Sequence, residues 1–176
     1  KMVAEHAIEY SLRLGKDVET IVSTDIPELI GYCTACNVKV IKRDAGLCDD
    51  SCRIDDALID ALERSDVRYE YCSLVFGNIP TRYPSLFTAA LSFLDGNPEF
   101  DAVISMQKTE KFHPDWMFDL NHDELPKLKE SHYRRQGLQP KMIHDGHTLL
   151  FRAGPFIERY KKSGGIASAY RYASFG

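Results

Sequence analysis

Arg43, Asn78, Arg82, Arg135 and Gln136 are the side chains in this 176-residue sequence whose types and surroundings best suit binding chemistry. Arg43 belongs to Lys42-Arg43-Asp44-Ala45-Gly46-Leu47-Cys48-Asp49-Asp50-Ser51, where two bases leave an apolar run and a helix start follows. Both features favour an anion such as a nucleotide phosphate. A solvated loop ahead of a capped helix explains the same residues equally well. Asn78 and Arg82 lie in Cys72-Ser73-Leu74-Val75-Phe76-Gly77-Asn78-Ile79-Pro80-Thr81-Arg82, an apolar run that breaks at Gly77. An amide can bond a base or a sugar hydroxyl, and an Arg can grip a carboxylate through two parallel hydrogen bonds. The plain alternative is a turn Asn and a surface Arg. Arg135 and Gln136, within Tyr133-Arg134-Arg135-Gln136, suit an acidic substrate or else form a solvated basic patch.

Other groupings carry less. In Val22-Ser23-Thr24-Asp25, Asp25 is expected to cap a helix N-terminus, and that alone accounts for it. Cys33-x2-Cys36 and Cys48-x3-Cys52 superficially resemble a four-cysteine zinc site. An intervening strand would hold the two pairs roughly 13–20 Å apart at about 3.3 Å per residue. One tetrahedral ion cannot span that, so core cysteines are expected and no metal site is assigned. His113, His122, His132, His144 and His147 are spread too widely for one ligand motif. There is no Gly-x-Ser-x-Gly elbow and no Gly-x-x-x-x-Gly-Lys-Ser/Thr loop.

The elements that must position these residues alternate. Residues 1–15 read as an amphipathic helix with Val3, Ala7, Ile8 and Leu12 on one face and Gly15 as its stop. Val18 to Thr24 reads as a strand, and a helix with Pro27 in its first turn runs to about Cys36. A strand over Val38 to Ile41 and a helix capped by Asp50 or Ser51 follow. The Cys72 run is the third strand, Pro84 to about Leu94 a helix, and Ala102 to Met106 a fourth strand. Such alternation implies right-handed crossovers and a mostly parallel α/β sheet, with ligands outside the carboxyl ends of the strands. From Gln107 to Asp145 the pattern degrades into an irregular, charge-rich lobe that holds the only Trp. A strand over Thr148 to Arg152 and a helix over Pro155 to Lys162 resume the pattern, and another strand is expected over Ala169 to Ser174.

Composition bounds the function. A mass of 20.0 kDa suits one domain, and 44% hydrophobic with 27% charged residues is ordinary for a globular protein. A net charge of -4 and a pI near 5.9 argue against duplex nucleic acid. No apolar run approaches the roughly 18 residues of a membrane helix. Five cysteines, an odd number in apolar or helical contexts, fit a reducing, cytoplasmic setting.

In order along the chain, these pieces resemble the acylneuraminate cytidylyltransferase family, the CMP-sialic acid synthetases and their relatives. The family reads V-S-T-D-x-x-E-I, R-P-x-x-L-A-x-D, L-L-Q-P-T-S-P-L-R, R-Q-x-L-P and N-G-A-I-Y. The corresponding residues are Val22 to Leu29, Arg43 to Asp50, Leu74 to Arg82, Arg135 to Leu138, and Asp145 to Leu149. The resemblance implies a Rossmann-like sheet of the nucleotide-diphospho-sugar transferase type. It implies a magnesium-dependent reaction of CTP with a keto-sugar acid, giving a CMP-sugar and pyrophosphate. It would place Arg43 at the nucleotide, Arg135 and Gln136 at the sugar acid, and Asn78 and Arg82 in the loop over the pocket. It also implies a homodimer contacting through residues 107–145 of a single domain. Phe76 replaces the family's Gln, Gly77-Asn78-Ile79 its P-T-S, Asp44 its Pro, and Asp145 and Leu149 its Asn and Tyr. The family's opening strand and Gly/Arg/Lys-rich phosphate loop would fall before Lys1, and its Asp-x-Asp metal motif after Gly176. Two alternatives follow: a non-catalytic nucleotide- or sugar-binding relative, or a nucleotidyltransferase for a different sugar.

Overall fold

Short strands alternate with helices, each helix turning an apolar stripe onto the strands it covers. The computed structural model describes residues 1–109, 111–119, 127–128 and 137–163. They form two compact units, Lys1–Ser105 with Gly146–Gly176, and Met106–Asp145.

In the first unit the order is α1 (Val3–Ser11), β1 (Ile21–Thr24), α2 (Pro27–Ala35), β2 (Lys39–Lys42), α3 (Ile54–Glu63), β3 (Tyr71–Ser73) and α4 (Pro84–Gly96). β4 (Ala102–Lys108) up to Ser105, β7 (Met142–Arg152) from Gly146 and α5 (Ala153–Lys162) complete it, with β5 (Phe118–Asp119) and β6 (Lys127–Leu128) belonging to the second unit. β1 and β2 pair in parallel, Ile21 opposite Lys39 and Thr24 opposite Lys42. β3, β7 and β4 form a second sheet in that order. The fold is thus mixed α/β with a parallel pair, and β7 departs from the parallel expectation by running antiparallel to β3. β7 follows the Met106–Asp145 excursion rather than a crossover helix, so nothing obliges it to run parallel.

Helices cover the sheets on both sides. Leu149, Leu150 and Phe151 of β7 are 1, 1 and 2% exposed. Leu149 and Phe151 pack with Ile59 of α3 and Phe156 of α5, whereas Leu150 packs with Phe87, Ala90 and Leu94 of α4. Ile8 of α1 joins Leu29 and Cys33 of α2 against Val22 and Val40.

Several local starts differ from the sequence reading. α1 ends at Ser11, whose hydroxyl bonds back to the Ala7 carbonyl at 3.0 Å, and Gly15 turns the chain later at φ 134°. Asp25 does not cap α2. The Thr24 hydroxyl accepts the Ile26 N–H at 3.2 Å instead, and Ile26 is the capping position before Pro27. Nor do Asp50 or Ser51 cap α3. Asp49 closes a turn by accepting the Ser51 N–H at 2.7 Å, and α3 begins only after Arg53, which grips Asp56 of its first turn at 2.7 and 3.2 Å. The expected strand at Ala169 to Ser174 lies outside the described residues.

In the second unit, His113 is 2% exposed. Its Nδ1 accepts the Asp115 N–H at 3.2 Å, so Nε2 donates to the Gln139 carbonyl at 2.8 Å. Among the described residues, no helix is long and apolar enough to cross a membrane.

Candidate functional site

The carboxyl ends of β1 and β3 open on one cavity of about 660 Å³, whose lining there includes Ser23, Thr24, Arg43, Phe76 and Gly77. This is where an open α/β sheet presents its loops to ligands.

Arg43 leaves β2 and is half-buried. Its main chain extends the parallel ladder, Arg43 N donating to Thr24 O at 3.0 Å. Its guanidinium folds over the end of β1, with Nε donating to Ser23 Oγ at 3.3 Å and Nη2 to Ser23 O at 2.8 Å. Among the described residues Nη1 has no partner. The site therefore holds an oriented cation with a donor to spare. Asp25 stands exposed on the same side. Burial, then the Asp25 carboxylate, pushes the neighbouring Cys48 thiol up.

The loop after β3 is held by Arg82, which is 7% exposed. Its Nη2 donates to Phe76 O at 2.7 Å and its Nε to His147 O at 3.3 Å, and Nη1 donates to Ile79 O. The guanidinium lies 5.8 Å from the centroid of the Tyr10 ring. Burial lowers the Arg82 pKa and raises that of Tyr10. One cation thus ties two ends of a loop to β7 and shelters under an aromatic ring.

His147 completes the fastening. Its Nε2 accepts the Tyr83 N–H at 2.7 Å, which leaves Nδ1 to donate to Thr148 Oγ1 at 2.8 Å. Its ring stacks on Tyr83 at 5.7 Å and 8° and meets Tyr10 edge-on at 6.5 Å and 82°. Gly146 precedes it at φ 71°, where a Cβ would collide with Ile79 Cδ1. With the loop pinned from inside, Asn78 stands exposed at its tip, and its side chain has no hydrogen-bond partner among the described residues.

The structure brings Arg43 and the Phe76–Gly77 end of the loop to one cavity and turns the Arg82 guanidinium inward. Arg135 and Gln136 lie outside the described residues. Sequence reasoning missed Tyr10, Tyr83 and His147 as anchors. Asp145-Gly146 reads as turn chemistry, but both residues lie inside β7, where Gly146 takes a positive φ beside Ile79, so no local signal marks His147 as an anchor. Among the described residues no three His, Cys, Asp or Glu side chains converge as a metal site would require.

No family model matches the chain, and no curated protein matches it. Solved structures do. CMP:2-keto-3-deoxy-manno-octonic acid synthetase, complexed with CTP, is 14% identical with a TM-score of 0.62, over 96% of this chain and 70% of that one. The 4-diphosphocytidyl-2C-methyl-D-erythritol synthase of Anaerococcus prevotii is 14% identical with a TM-score of 0.63, over 98% and 70%. At such identity the likeness is one of fold, and the fold of this chain is of the nucleotide-diphospho-sugar transferase type.

Proposed function

We propose that the protein is a cytidylyltransferase that joins CTP to a sugar, with a keto-sugar acid of the sialic acid type as the substrate and a CMP-sugar and pyrophosphate as products. The observation that carries this reading is the shared mouth of the cavity. Arg43, oriented by Ser23, and the pinned Phe76–Gly77 loop line the carboxyl ends of a sheet whose fold is also that of a synthetase solved with CTP. The order of the sequence motifs supports it independently.

In this reading Arg43 faces the nucleotide phosphates and offsets charge as an anomeric hydroxyl attacks the α-phosphorus in line. Asn78 offers its amide to a sugar hydroxyl from the loop tip, and Arg82 holds that loop in place. Arg135 binds the sugar carboxylate with Gln136 beside it. Magnesium belongs to the proposal as the counter-charge to the triphosphate. The described residues do not supply a donor set that fits it, and no step is derived through the ion. Residues 107–145 would form a homodimer contact, and a reducing, cytoplasmic setting fits the five free cysteines.

A second reading is a nucleotidyltransferase for a different sugar. Phe76 favours it, because a Phe cannot replace the hydrogen bond of the family's Gln. Pyrophosphate release from CTP, measured on the full-length protein with a panel of keto-sugar acids and neutral polyols, separates the two. Release with a keto-sugar acid is expected, and release with none of the panel refutes the transferase reading. Calorimetry with CTP against ATP, GTP and UTP tests base choice, and equal affinities would remove the cytidine assignment.

A further inference from the structure

The ring of His147, beside the loop after β3, is placed by two hydrogen bonds that admit a single protonation state. Nε2 accepts the Tyr83 N–H at 2.7 Å, and Nδ1 meets Thr148 Oγ1 at 2.8 Å. A ring nitrogen that accepts carries no proton, so this arrangement belongs to the neutral ring with its hydrogen on Nδ1. A second proton leaves the Thr148 bond intact and alters only Nε2. There it replaces a lone pair by an N–H aimed at another N–H.

The groups packed around the ring oppose that proton. Tyr83 is the capping residue of α4, and its own side chain does not cap the helix. His147 therefore supplies an acceptor at the positive end of a 13-residue helix, where a cation is disfavoured. Arg82 donates Nε to His147 O, which sets a second positive charge beside the same residue. The Tyr rings attract a cation, but Tyr10 already faces the Arg82 guanidinium at 5.8 Å, and Tyr83 is 60% exposed. From β4, Ser105 bonds Thr148 and brings no charge. On β7 itself, His144 and Asp145 precede the ring. Burial lowers the His144 pKa, and the Asp145 carboxylate acts against that. Asp145 favours a charged ring at His147 as well. It is only half-buried, so water screens its pull, whereas the bond to Tyr83 is direct and short.

We infer that His147 is a proton-operated fastener: it holds the end of the loop from Phe76 to Tyr83 while Nε2 is bare, and acid releases that end by protonating it. The other end of the loop lines the cavity through Phe76 and Gly77, so release loosens one wall of the mouth. Arg82 cannot take over, because the Tyr83 N–H needs an acceptor and a guanidinium has only donors. The fastened ring excludes a proton that the released ring binds. Fastening is therefore strongest above the ordinary histidine value near 6.5 and weakens as the pH falls below it. A released ring that titrates near 6.5 favours the open loop by up to about 30-fold at pH 5. No ligand takes part, so the fastener stands or falls apart from the cytidylyltransferase reading.

Amide hydrogen exchange tests this, read as protection relative to the intrinsic rate at each pH. Between about pH 7.5 and pH 5 the protection of the Tyr83 amide should fall at least ~10-fold. That of Leu74, which donates to Leu149 O just past β3, should hold within about 2-fold. NMR titration of the His147 ring should share its midpoint with the Tyr83 amide. In His147→Gln, whose side-chain oxygen accepts without titrating, Tyr83 protection should no longer depend on pH. Should that variant not fold, the shared midpoint in the unmodified protein decides alone. Tyr83 protection that changes by less than about 2-fold overturns the inference. So does a loss that persists in His147→Gln, which assigns the titration to another group such as His144 or Asp145. An equal loss at Leu74 overturns it too, since the whole fold is then opening.

Discussion

Arg43 and Arg82 both fold onto backbone carbonyls at the carboxyl ends of the sheets, yet they are held in opposite ways. Arg82 is nearly sealed and directs its donors to three carbonyls, of Phe76, Ile79 and His147. Arg43 is half-buried, its side chain hydrogen-bonds Ser23, it lines the cavity, and its Nη1 has no hydrogen-bond partner among the described residues. The difference separates two uses of one residue type. A guanidinium whose donors all meet the protein shapes a loop, and one with a donor left at a cavity mouth can meet an anion. A charge on the surface of a sequence motif does not tell which of these it is.

The contrast breaks first at Arg82. Arg82→Ala leaves buried carbonyls without donors and removes the cation beneath Tyr10, so it should cost about 3 kcal/mol of stability. Arg82→Lys should recover less than half of that, because an ammonium cannot reproduce the planar fork. Urea unfolding of the two variants measures both. A loss of under about 0.5 kcal/mol for Arg82→Ala, the range of an unconstrained surface site, would show that the loop does not depend on it.

Gly146→Ala acts on the same loop through the backbone. Its φ of 71° is unfavourable to any residue with a Cβ, and the added atom meets the end of the Ile79 side chain. That end can rotate, so the dihedral carries most of an expected cost of about 1–2 kcal/mol. Ile79→Ala in the Gly146→Ala background relieves only the contact. A double-mutant cycle with little coupling is therefore expected, and a coupling near the full cost would place the strain in the side chains instead.

These two positions show what the sequence could and could not disclose. Pro84 opening α4 is a local signal that the structure follows, whereas Asp145-Gly146, turn chemistry by residue type, lies inside β7. Arg82 in a Pro-Thr-Arg loop reads as available because its burial depends on carbonyls that only the folded backbone aims at it. Asp25 reads as a helix cap by residue type, but Thr24, one residue earlier and 5% exposed, has its hydroxyl fixed on the Ile26 N–H. The alternation of helices and strands implied a parallel sheet, and β1–β2 obeys it. β7 does not, since residue type says nothing of direction after a long excursion.

His147→Phe sharpens the comparison with a smaller effect. The aromatic faces toward Tyr83 and Tyr10 are kept, and the acceptor for the Tyr83 N–H is lost. A cost of about 1 kcal/mol is expected, with faster exchange of the Tyr83 amide and no change at Ile21 or Val22. His147→Gln, which can still accept, should restore part of the protection. Equal exchange in all three proteins would mean that the stack rather than the hydrogen bond holds the loop.

Arg43→Ala should affect stability least of the four. The Ser23 carbonyl it leaves lies at the cavity mouth, where water can replace the guanidinium, so a change within about 0.5 kcal/mol is expected. If Arg43 meets the nucleotide, the same variant should weaken CTP binding about 10-fold or more, the equivalent of at least about 1.4 kcal/mol from one charge-assisted contact. Arg82→Lys, if folded, should weaken CTP binding much less and the sugar more, because it alters the loop and not the phosphate side. Calorimetry on Arg43→Ala and Arg82→Lys then reads the two arginines as a crossed pair: stability falls at one and nucleotide affinity at the other. Arg43→Ala with unchanged CTP affinity would return Arg43 to the role of a strand-end fastener, like Arg82, and leave the cavity mouth without its assigned cation.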